Sequence, residues 1–460
     1  MKKVFFFIVA LLSVASVSGQ SRVWEMPTVP SDTSIVRHWR NGEYIVYTRQ
    51  AGLPGEVMYH NSITGNVRKA DLPSGAVIND FRIFNDTVFA GGSLQLGGHN
   101  VGLLACFAIN DLLTGSCTFH GTSLNYSNML NDECSNPDNY DWITGIRRLD
   151  VFSFRGWPVV AFISDNVILT EPSNYSGIQY HRIGCGDALF QNSSWFINPY
   201  HYNKDGQDKY TDIAVMDNYV AVVSHDTVYD LAGFELYSKG VPFASHPIPV
   251  GSGTTVYSFT DHEVEGRVMA TALEGDLLAV AYHYKDPSGA SGLSLKWISV
   301  SAGVPTIQYS IDIPLPAVGG REMRDVRYSR QSNSLWVLAD EAEQTTGLWE
   351  SYIHRVDMGN VYAGMYEERY YPGYKLYSLD GYDGGGHIVS GMMNGHLTVC
   401  GEKMLPIPIH CYTQQTVKGD RTAPTMSVVG HHHCMTVPDK RPGPISVPVI
   451  DKPVDFICEN

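Results

Sequence analysis

The chain has 460 residues, 43% of them hydrophobic and 17% charged, and a formal net charge of −15. That acidic balance excludes a nucleic-acid backbone as partner, because affinity for phosphates relies on clustered Lys and Arg. Cations, neutral glycans and proteins stay open as partners, and the length suits one large all-β domain or two to three ordinary ones.

Residues 1–19 have the form of a secretion signal: Lys2 and Lys3, an apolar run from Val4 to Val17, and small residues at Val17-Ser18-Gly19. The run is shorter than the roughly 20 apolar residues that span a bilayer, and no later stretch is apolar enough to serve as a transmembrane segment. The expectation is an exported protein of the periplasm, cell surface or extracellular space. Loss of the leader with its two lysines brings the net charge to about −17.

A two-strand phrase then recurs. Its clearest copy runs from Ile78 to Gly92: Asp80-Phe81-Arg82-Ile83-Phe84, a polar turn at Asn85-Asp86, then Val88-Phe89-Ala90-Gly91-Gly92. The second strand reappears as Tyr44–Tyr47, Val159–Ile163, Tyr219–Val223, Leu277–Tyr282, Leu335–Leu338 and Ile388–Ser390. Each copy follows a turn: Asn41-Gly42, Asn85-Asp86, Arg155-Gly156, Asp217-Asn218, Glu274-Gly275, Asn333-Ser334 or Gly384-Gly385. Such dipeptides reach the positive φ angles of short hairpins. Successive copies start 44, 71, 60, 58, 58 and 53 residues apart, a spacing that suits four-stranded blades with sizeable loops. No long window shows capped helical periodicity. The reading is an all-β β-propeller, seven-bladed by count, over residues 20–399. The first copy, Val36 to Tyr47, is weak enough to be a partial blade, and Ser123 to Tyr140 reads as a polar insertion.

From residue 400 to 460 the composition changes, with eight of the 24 prolines and four of the eight cysteines. Proline forbids a continuous helix and discourages central strands. The segment reads as an extended, disulfide-tied tail that packs on the propeller or closes it. The cysteines fall into two groups, Cys106, Cys117, Cys134 and Cys185, then Cys400, Cys411, Cys434 and Cys458. An even number in an exported chain points to disulfides, paired within groups; Cys106 and Cys400, inside apolar runs, also suit buried thiols.

The phrase Asn85-Asp86-Thr87-Val88-Phe89-Ala90-Gly91-Gly92, its repeats and the leader resemble secreted, propeller-type proteins of Bacteroidetes bacteria. The likeness spans about Val36 to Met393 as a pattern. It implies architecture and export, and transfers no catalytic residue.

Chemistry is sparser. In His431-His432-His433-Cys434, alternation in an extended segment puts His431 and His433 on one side, as candidate ligands for a divalent metal. Asp205 and Asp208 flank Gly206 in an oxygen-rich loop that lacks the full calcium-loop pattern; Asp380-Gly381-Tyr382-Asp383-Gly384 is a weaker version. Tyr200 and Tyr202, and Tyr370, Tyr371 and Tyr374, form aromatic clusters suited to sugar rings or protein surfaces. His262-Glu263-Val264-Glu265 groups an acid and a base but reads as a solvated edge. G-x-S-x-G, H-E-x-x-H and the phosphate loop are absent from the sequence. The sequence therefore points to a binding or scaffold protein that recognises a glycan or protein through loops on one face. A carbohydrate-active hydrolase or lyase, or a structural part of a surface assembly, is the alternative.

Overall fold

Apolar runs separated by tight turns pair antiparallel, and a run that is apolar throughout must be covered on both faces. The structure, a computed structural model, describes residues 22–402 apart from 28–34, 40–43, 50–55, 62–65, 73, 97, 111–119, 124–139, 155, 170–177, 188–194, 198–207, 227–230, 240–255, 260–262, 287, 316–320, 343–348, 360–365, 373, 383–385 and 394–395. Among the described residues the strands form seven four-stranded antiparallel sheets.

The chain opens with β1 (Arg22–Pro27). Sheet 1 holds β2 (Val36–Trp39), β3 (Tyr44–Arg49), β4 (Glu56–Asn61) and β5 (Val67–Asp71). Sheet 2 holds β6 (Ala76–Phe84), β7 (Thr87–Leu96), β8 (His99–Ala108) and β9 (His120–Ser123). Sheet 3 holds β10 (Tyr140–Phe154), β11 (Trp157–Leu169), β12 (Ile178–Asp187) and β13 (Trp195–Ile197). Sheet 4 holds β14 (Asp208–Val215), β15 (Tyr219–Asp226), β16 (Leu231–Ser238) and β17 (Val256–Phe259). Sheet 5 holds β18 (Glu263–Ala272), β19 (Leu277–Lys285), β20 (Ser291–Ser301) and β21 (Val304–Leu315). Sheet 6 holds β22 (Glu322–Ser329), β23 (Ser334–Ala342), β24 (Trp349–Asp357) and β25 (Tyr366–Pro372). Sheet 7 holds β26 (Tyr374–Tyr382), β27 (Gly386–Met393) and β28 (His396–Glu402), and takes β1 as its outer strand.

Each recurrent apolar run is the second strand of its sheet. Four of the hairpins into these strands show the expected positive φ at turn residues read from the sequence; Asp217-Asn218 turns without one, and Asn41-Gly42 and Gly384-Gly385 lie outside the described residues. Asn85 and Asp86 sit at φ 48° and 57°, Gly156 at 85°, Gly275 at 71° and Asn333 at 44°. Two successive positive φ angles at Asn-Asp match the twist of the flanking strands. Sheet 1, from the weak first copy, is complete with four strands of its own. The sheet that borrows a strand is the last, and the lender is the N-terminal end, with Trp24 opposite Gly401 and Met26 opposite Val399.

The first strands lie against one another in order, β2 on β6, then β10, β14, β18, β22 and β26, and β26 returns to β2. The sheets therefore surround a common centre, with their first strands innermost. Between them lie the apolar cores. Met269, Leu293 and Trp297 of sheet 5 pack against Met323, Val337 and Tyr352 of sheet 6, and Phe234 of sheet 4 packs against Val280 and Tyr282 of sheet 5. Similar clusters join sheets 1 and 2, 2 and 3, 3 and 4, and 6 and 7. Each fully buried Leu, Val or Phe contributes roughly 1.5–3 kcal/mol by leaving water, so these layers hold most of the stabilising energy. The second strand β19 is buried along nearly its whole length, whereas β21, outermost in the same sheet, is exposed over its first half. That contrast explains why second strands were legible as unbroken apolar runs.

One close approach requires glycine. Gly92 in β7 lies opposite Ile78 in β6, where a Cβ would fall on the Val77 backbone carbonyl. Backbone cannot yield as a flexible side chain does, and overpacking of this kind costs about 1–3 kcal/mol. Gly92→Ala is expected to destabilise the protein by at least that much, read as a lower denaturation midpoint at unchanged slope.

Candidate functional site

The innermost strands carry a repeated irregularity. Pairing with the second strand slips between Ile78 and Asp80, Ile146 and Arg148, Tyr210 and Asp212, Glu265 and Val268, Met323 and Asp325, and Leu376 and Ser378. Six of the seven first strands thus contain a β-bulge; β2, only four residues long, pairs without one. A bulge leaves its extra residue off the ladder and re-aims the side chain. The bulged residues are Asn79, Arg147, Thr211, Arg267 with Gly266, Arg324 and Tyr377. Together these six bulges form a collar on the innermost strands.

Past the collar the centre is filled by charge. Asp80 is fully buried; its Oδ1 accepts from the Phe81 N–H at 3.0 Å, Arg82 Nη1 at 2.7 Å and Arg37 Nη2 at 3.0 Å. Its Oδ2 accepts from the Leu149 N–H of the next sheet at 3.1 Å. The same bridge recurs. Asp150 accepts from Val215 N–H at 2.9 Å, Asp212 from Ala270 N–H at 3.1 Å, and Asp325 from Leu379 N–H at 3.1 Å. Ser378 Oγ accepts from Val36 N–H at 2.9 Å. Arg37 to Asp80 spans sheets 1 and 2 at 3.0 Å, and Arg267 to Glu322 spans sheets 5 and 6 at 3.2 Å. Every junction between neighbouring first strands is therefore spanned by a polar side chain.

The charges of this hub shape one another. Burial alone would raise the Asp80 carboxyl, but Arg82, Arg37, Arg148 and Arg327 outweigh it and hold its pKa at about 2. Burial, with Arg327 and Arg82 close by, lowers the Arg37 guanidinium to about 9 against the pull of Asp325 and Asp80. Asp212 is pushed up by burial despite Arg148, whose Nε stands 3.9 Å from it, and its Oδ1 has no hydrogen bond. Four arginines and four aspartates balance in formal charge at the centre, where Asp80, Asp212 and Asp325 are buried and Asp150 keeps 24% of its side chain exposed.

The collar differs. Arg147 and Arg267 are 37% and 45% exposed, far above the arginines beneath them. Arg147 Nε donates to Asp165 at 3.0 Å, and Arg267 Nε meets Glu322 at 3.2 Å. Glu322 also holds Arg324 Nη2 at 2.7 Å, and Arg324 Nε donates to Asp340 at 2.7 Å. Asp340, opposite Glu322 in the ladder, is fully buried. Burial raises its carboxyl to about 6 against the opposing pull of Arg324, and its Oδ1 has no hydrogen bond. Chemically, the collar offers two part-exposed cations, and behind it lies a buried carboxyl raised to about 6.

The side chains singled out from the sequence lie elsewhere. Tyr371 is buried, with its hydroxyl 2.7 Å from His387 Nε2, and Tyr374 packs edge-on to it with ring centroids 5.9 Å apart. Tyr370 pairs with Tyr352 in the ladder. Asp208 begins β14 opposite Asp226. Asp380 is a strand residue whose Oδ1 accepts from the Gly381 N–H at 2.9 Å. Glu263 lies in β18 opposite Lys285. Cys106 is buried in β8, Cys185 sits in β12 and Cys400 in β28. Tyr200, Tyr202, Asp205, His431, His433, Cys117, Cys134, Cys411, Cys434 and Cys458 lie outside the described residues. Among the described residues no group of three or more His, Cys, Asp or Glu is placed to hold a metal ion, and no helix is long and apolar enough to cross a membrane. What sequence reasoning passed over is the charge inside the first strands: Asp80 and Arg82 were read as part of an apolar run. The usable signal is a polar or charged residue, a charged one and an apolar one, recurring one strand before four of the seven apolar runs, as Asn79-Asp80-Phe81, Arg147-Arg148-Leu149, Thr211-Asp212-Ile213 and Arg324-Asp325-Val326.

No family model matches the chain, and no curated protein matches it. Among solved structures it is similar to the WD40 domain of SCAP from fission yeast (9% identity, 80% of this chain and 81% of that one, TM-score 0.37). It is also similar to the polysaccharide lyase Uly1 (10% identity, 85% and 93%, TM-score 0.43). A third is the β-propeller domain of the Trilobed protease from Pyrococcus furiosus (8% identity, 82% and 94%, TM-score 0.43).

Removing one partner of a buried charge network strands the others, at about 3–5 kcal/mol. Asp80→Asn is expected to lose stability of that order at pH 7. Because the folded pKa of about 2 lies below the ordinary 3.8, Asp80 stabilises the protein above pH 4 and that contribution fades as the pH falls towards 2. Chemical denaturation of both proteins at several pH values should show the gap closing in that window.

Proposed function

We propose that the seven sheets are the blades of a β-propeller closed by β1, and that the protein is an exported binding module whose ligand docks at the bulged collar. The leader over residues 1–19 supports export; β28 carries the propeller to Glu402, past the boundary at 399 expected from the sequence, and the residues after it are a tail packed on the propeller. The observation that carries the binding reading is the contrast along the first strands: a charge-balanced hub whose arginines are 6–14% exposed, and the guanidiniums of Arg147 and Arg267 at 37% and 45%. The hub groups are committed to one another, so recognition falls to the collar. Ligand pockets tend to combine a concave frame with a few convergent polar groups, and six bulges around a ring provide such a frame.

A second reading, a carbohydrate-active hydrolase or lyase, has one observation in its favour. Asp340 is a carboxyl raised to about 6 beside Glu322, and perturbed carboxyls of this kind recur at catalytic sites.

The test is a thermal-shift screen of residues 20–460 against glycans and candidate protein partners, repeated with Arg267→Ala. Ligand at about a hundred times its dissociation constant adds roughly 2.7 kcal/mol. Saturable binding without turnover, weakened by Arg267→Ala, is expected. Turnover abolished by Asp340→Asn would favour the enzyme, and binding indifferent to Arg267→Ala would remove the collar from the account.

A further inference from the structure

The geometry points to a carboxylated saccharide as the ligand of the collar, with Arg147 and Arg267 each gripping a ring carboxylate; we propose this as a deepening of the binding-module reading, on which it rests.

Three features lead there. The first is how the guanidiniums are held. Arg147 Nε donates to Asp165 at 3.0 Å, and Arg267 Nε is ion-paired with Glu322 at 3.2 Å. Among the described residues, neither has a hydrogen bond at its terminal nitrogens. An arginine fixed at Nε presents its two remaining NH2 groups in one plane, the fork that matches a carboxylate. The anchoring carboxylates also restrict the side chains beforehand, so less rotamer freedom is lost on binding.

The second is the local field. Burial lowers the Arg267 pKa first, and Arg148, Arg324 and Arg147 lower it further against the single opposing pull of Glu322. Cations crowded closely enough to disfavour one another form a place where an anion is welcome. Arg148, just beneath, stands 3.9 Å from its nearest acid, Asp212, and adds to that field. The chain as a whole is acidic, at −15, so an acidic partner is turned away from most of the surface and admitted here.

The third decides between an acidic sugar and an acidic protein. Protein interfaces concentrate their energy in buried aromatic and apolar anchors. Among the described residues, the exposed large hydrophobics are Val67, Val304 and Ile307. They belong to the outer strands β5 and β21, remote from the collar. Of the other bulged residues, Asn79 donates to the Ile146 carbonyl, Thr211 is buried and bonds the Val268 carbonyl, and Arg324 is held by Glu322 and Asp340. The two part-exposed guanidiniums are therefore what the collar presents, and with no exposed apolar anchor among its described residues an anionic sugar suits it better than a protein surface.

The experiment is isothermal titration of the mature chain with an oligogalacturonate, its methyl ester, an uncharged oligosaccharide of the same length and poly-L-glutamate. Wild type is compared with Arg147→Gln, Arg267→Gln and the double variant. Charge-assisted bonds of this type are each worth about tenfold. Each single variant should therefore weaken oligogalacturonate by about tenfold, and the double variant by about a hundredfold. The methyl ester, which tests the same contact without altering the protein, should bind at least tenfold more weakly than the acid, and added salt should weaken the acid alone. Equal binding of acid and ester, or no binding of the acid at millimolar concentration, would overturn the inference. Poly-L-glutamate binding as tightly as the sugar would assign the site to an acidic protein and overturn it as well. An uncharged oligosaccharide that binds wild type and is lost in the double variant would refute the carboxylate while leaving the collar as the binding site. Ligands indifferent to both arginines would defeat both.

Discussion

The architecture depends on one contact: a side-chain oxygen on one innermost strand accepting a backbone N–H from the innermost strand of the next sheet. Neighbouring sheets share no ladder, and each innermost strand is the edge of its own sheet, so that alternate backbone N–H groups face the next sheet without a ladder partner. A buried N–H without an acceptor costs about as much as a lost hydrogen bond. Asp80, Asp150, Asp212, Asp325 and Ser378 supply those acceptors to Leu149, Val215, Ala270, Leu379 and Val36. Carboxylates placed there must then be neutralised, which accounts for Arg37, Arg82, Arg148 and Arg327 at the centre. The unpaired edge of each first strand creates the need, an aspartate or serine meets it, and the arginines follow.

Magnitudes separate the role of this hub from that of the apolar layers. Buried ion pairs repay much of their attraction in desolvation, so they add little net stability over well-packed apolar residues, while losing one partner is expensive. The stabilising energy resides between the sheets, in clusters such as the one joining Trp297 to Val337 and Tyr352. The hub fixes how the sheets meet. Its bonds to single amides of adjacent strands set their relative height, which apolar contacts, being non-directional, specify less sharply. The same height setting holds the bulged strands together as a collar that carries Arg147 and Arg267.

How much of this could be read from the sequence follows from the same physics. Second strands such as Leu277–Tyr282 announce themselves because both of their faces are covered, and turns such as Asn85-Asp86 because few other residues accept positive φ. The closing strand β1 gives no such signal. It is six residues at the outer edge of a sheet, and its pairing of Trp24 with Gly401 is a long-range event that no local pattern encodes. The collar was hidden for a related reason. Whether Arg147 or Arg148 reaches solvent depends on a one-residue slip in register, and such a slip turns a side chain to the opposite face. Aromatic clusters drew attention by composition, yet Tyr371 is committed to His387 inside the structure. Charge within an apolar run was the better guide, because a buried strand tolerates it only where a partner stands opposite.

Function then rests on a division within the first strands: Asp80, Asp150, Asp212, Asp325 and Ser378 tie the ring together, and of the bulged residues Arg147 and Arg267 reach solvent. Hydrogen exchange at the Leu149, Ala270 and Leu379 amides tests the first half of that division most directly, since each depends on an aspartate of the neighbouring sheet. The three should exchange only through global unfolding, in step with Val337 in the apolar core between sheets 5 and 6. Exchange of these amides through local opening, while Val337 stays protected, would show that the sheets are held together without the bridges and would contradict this account.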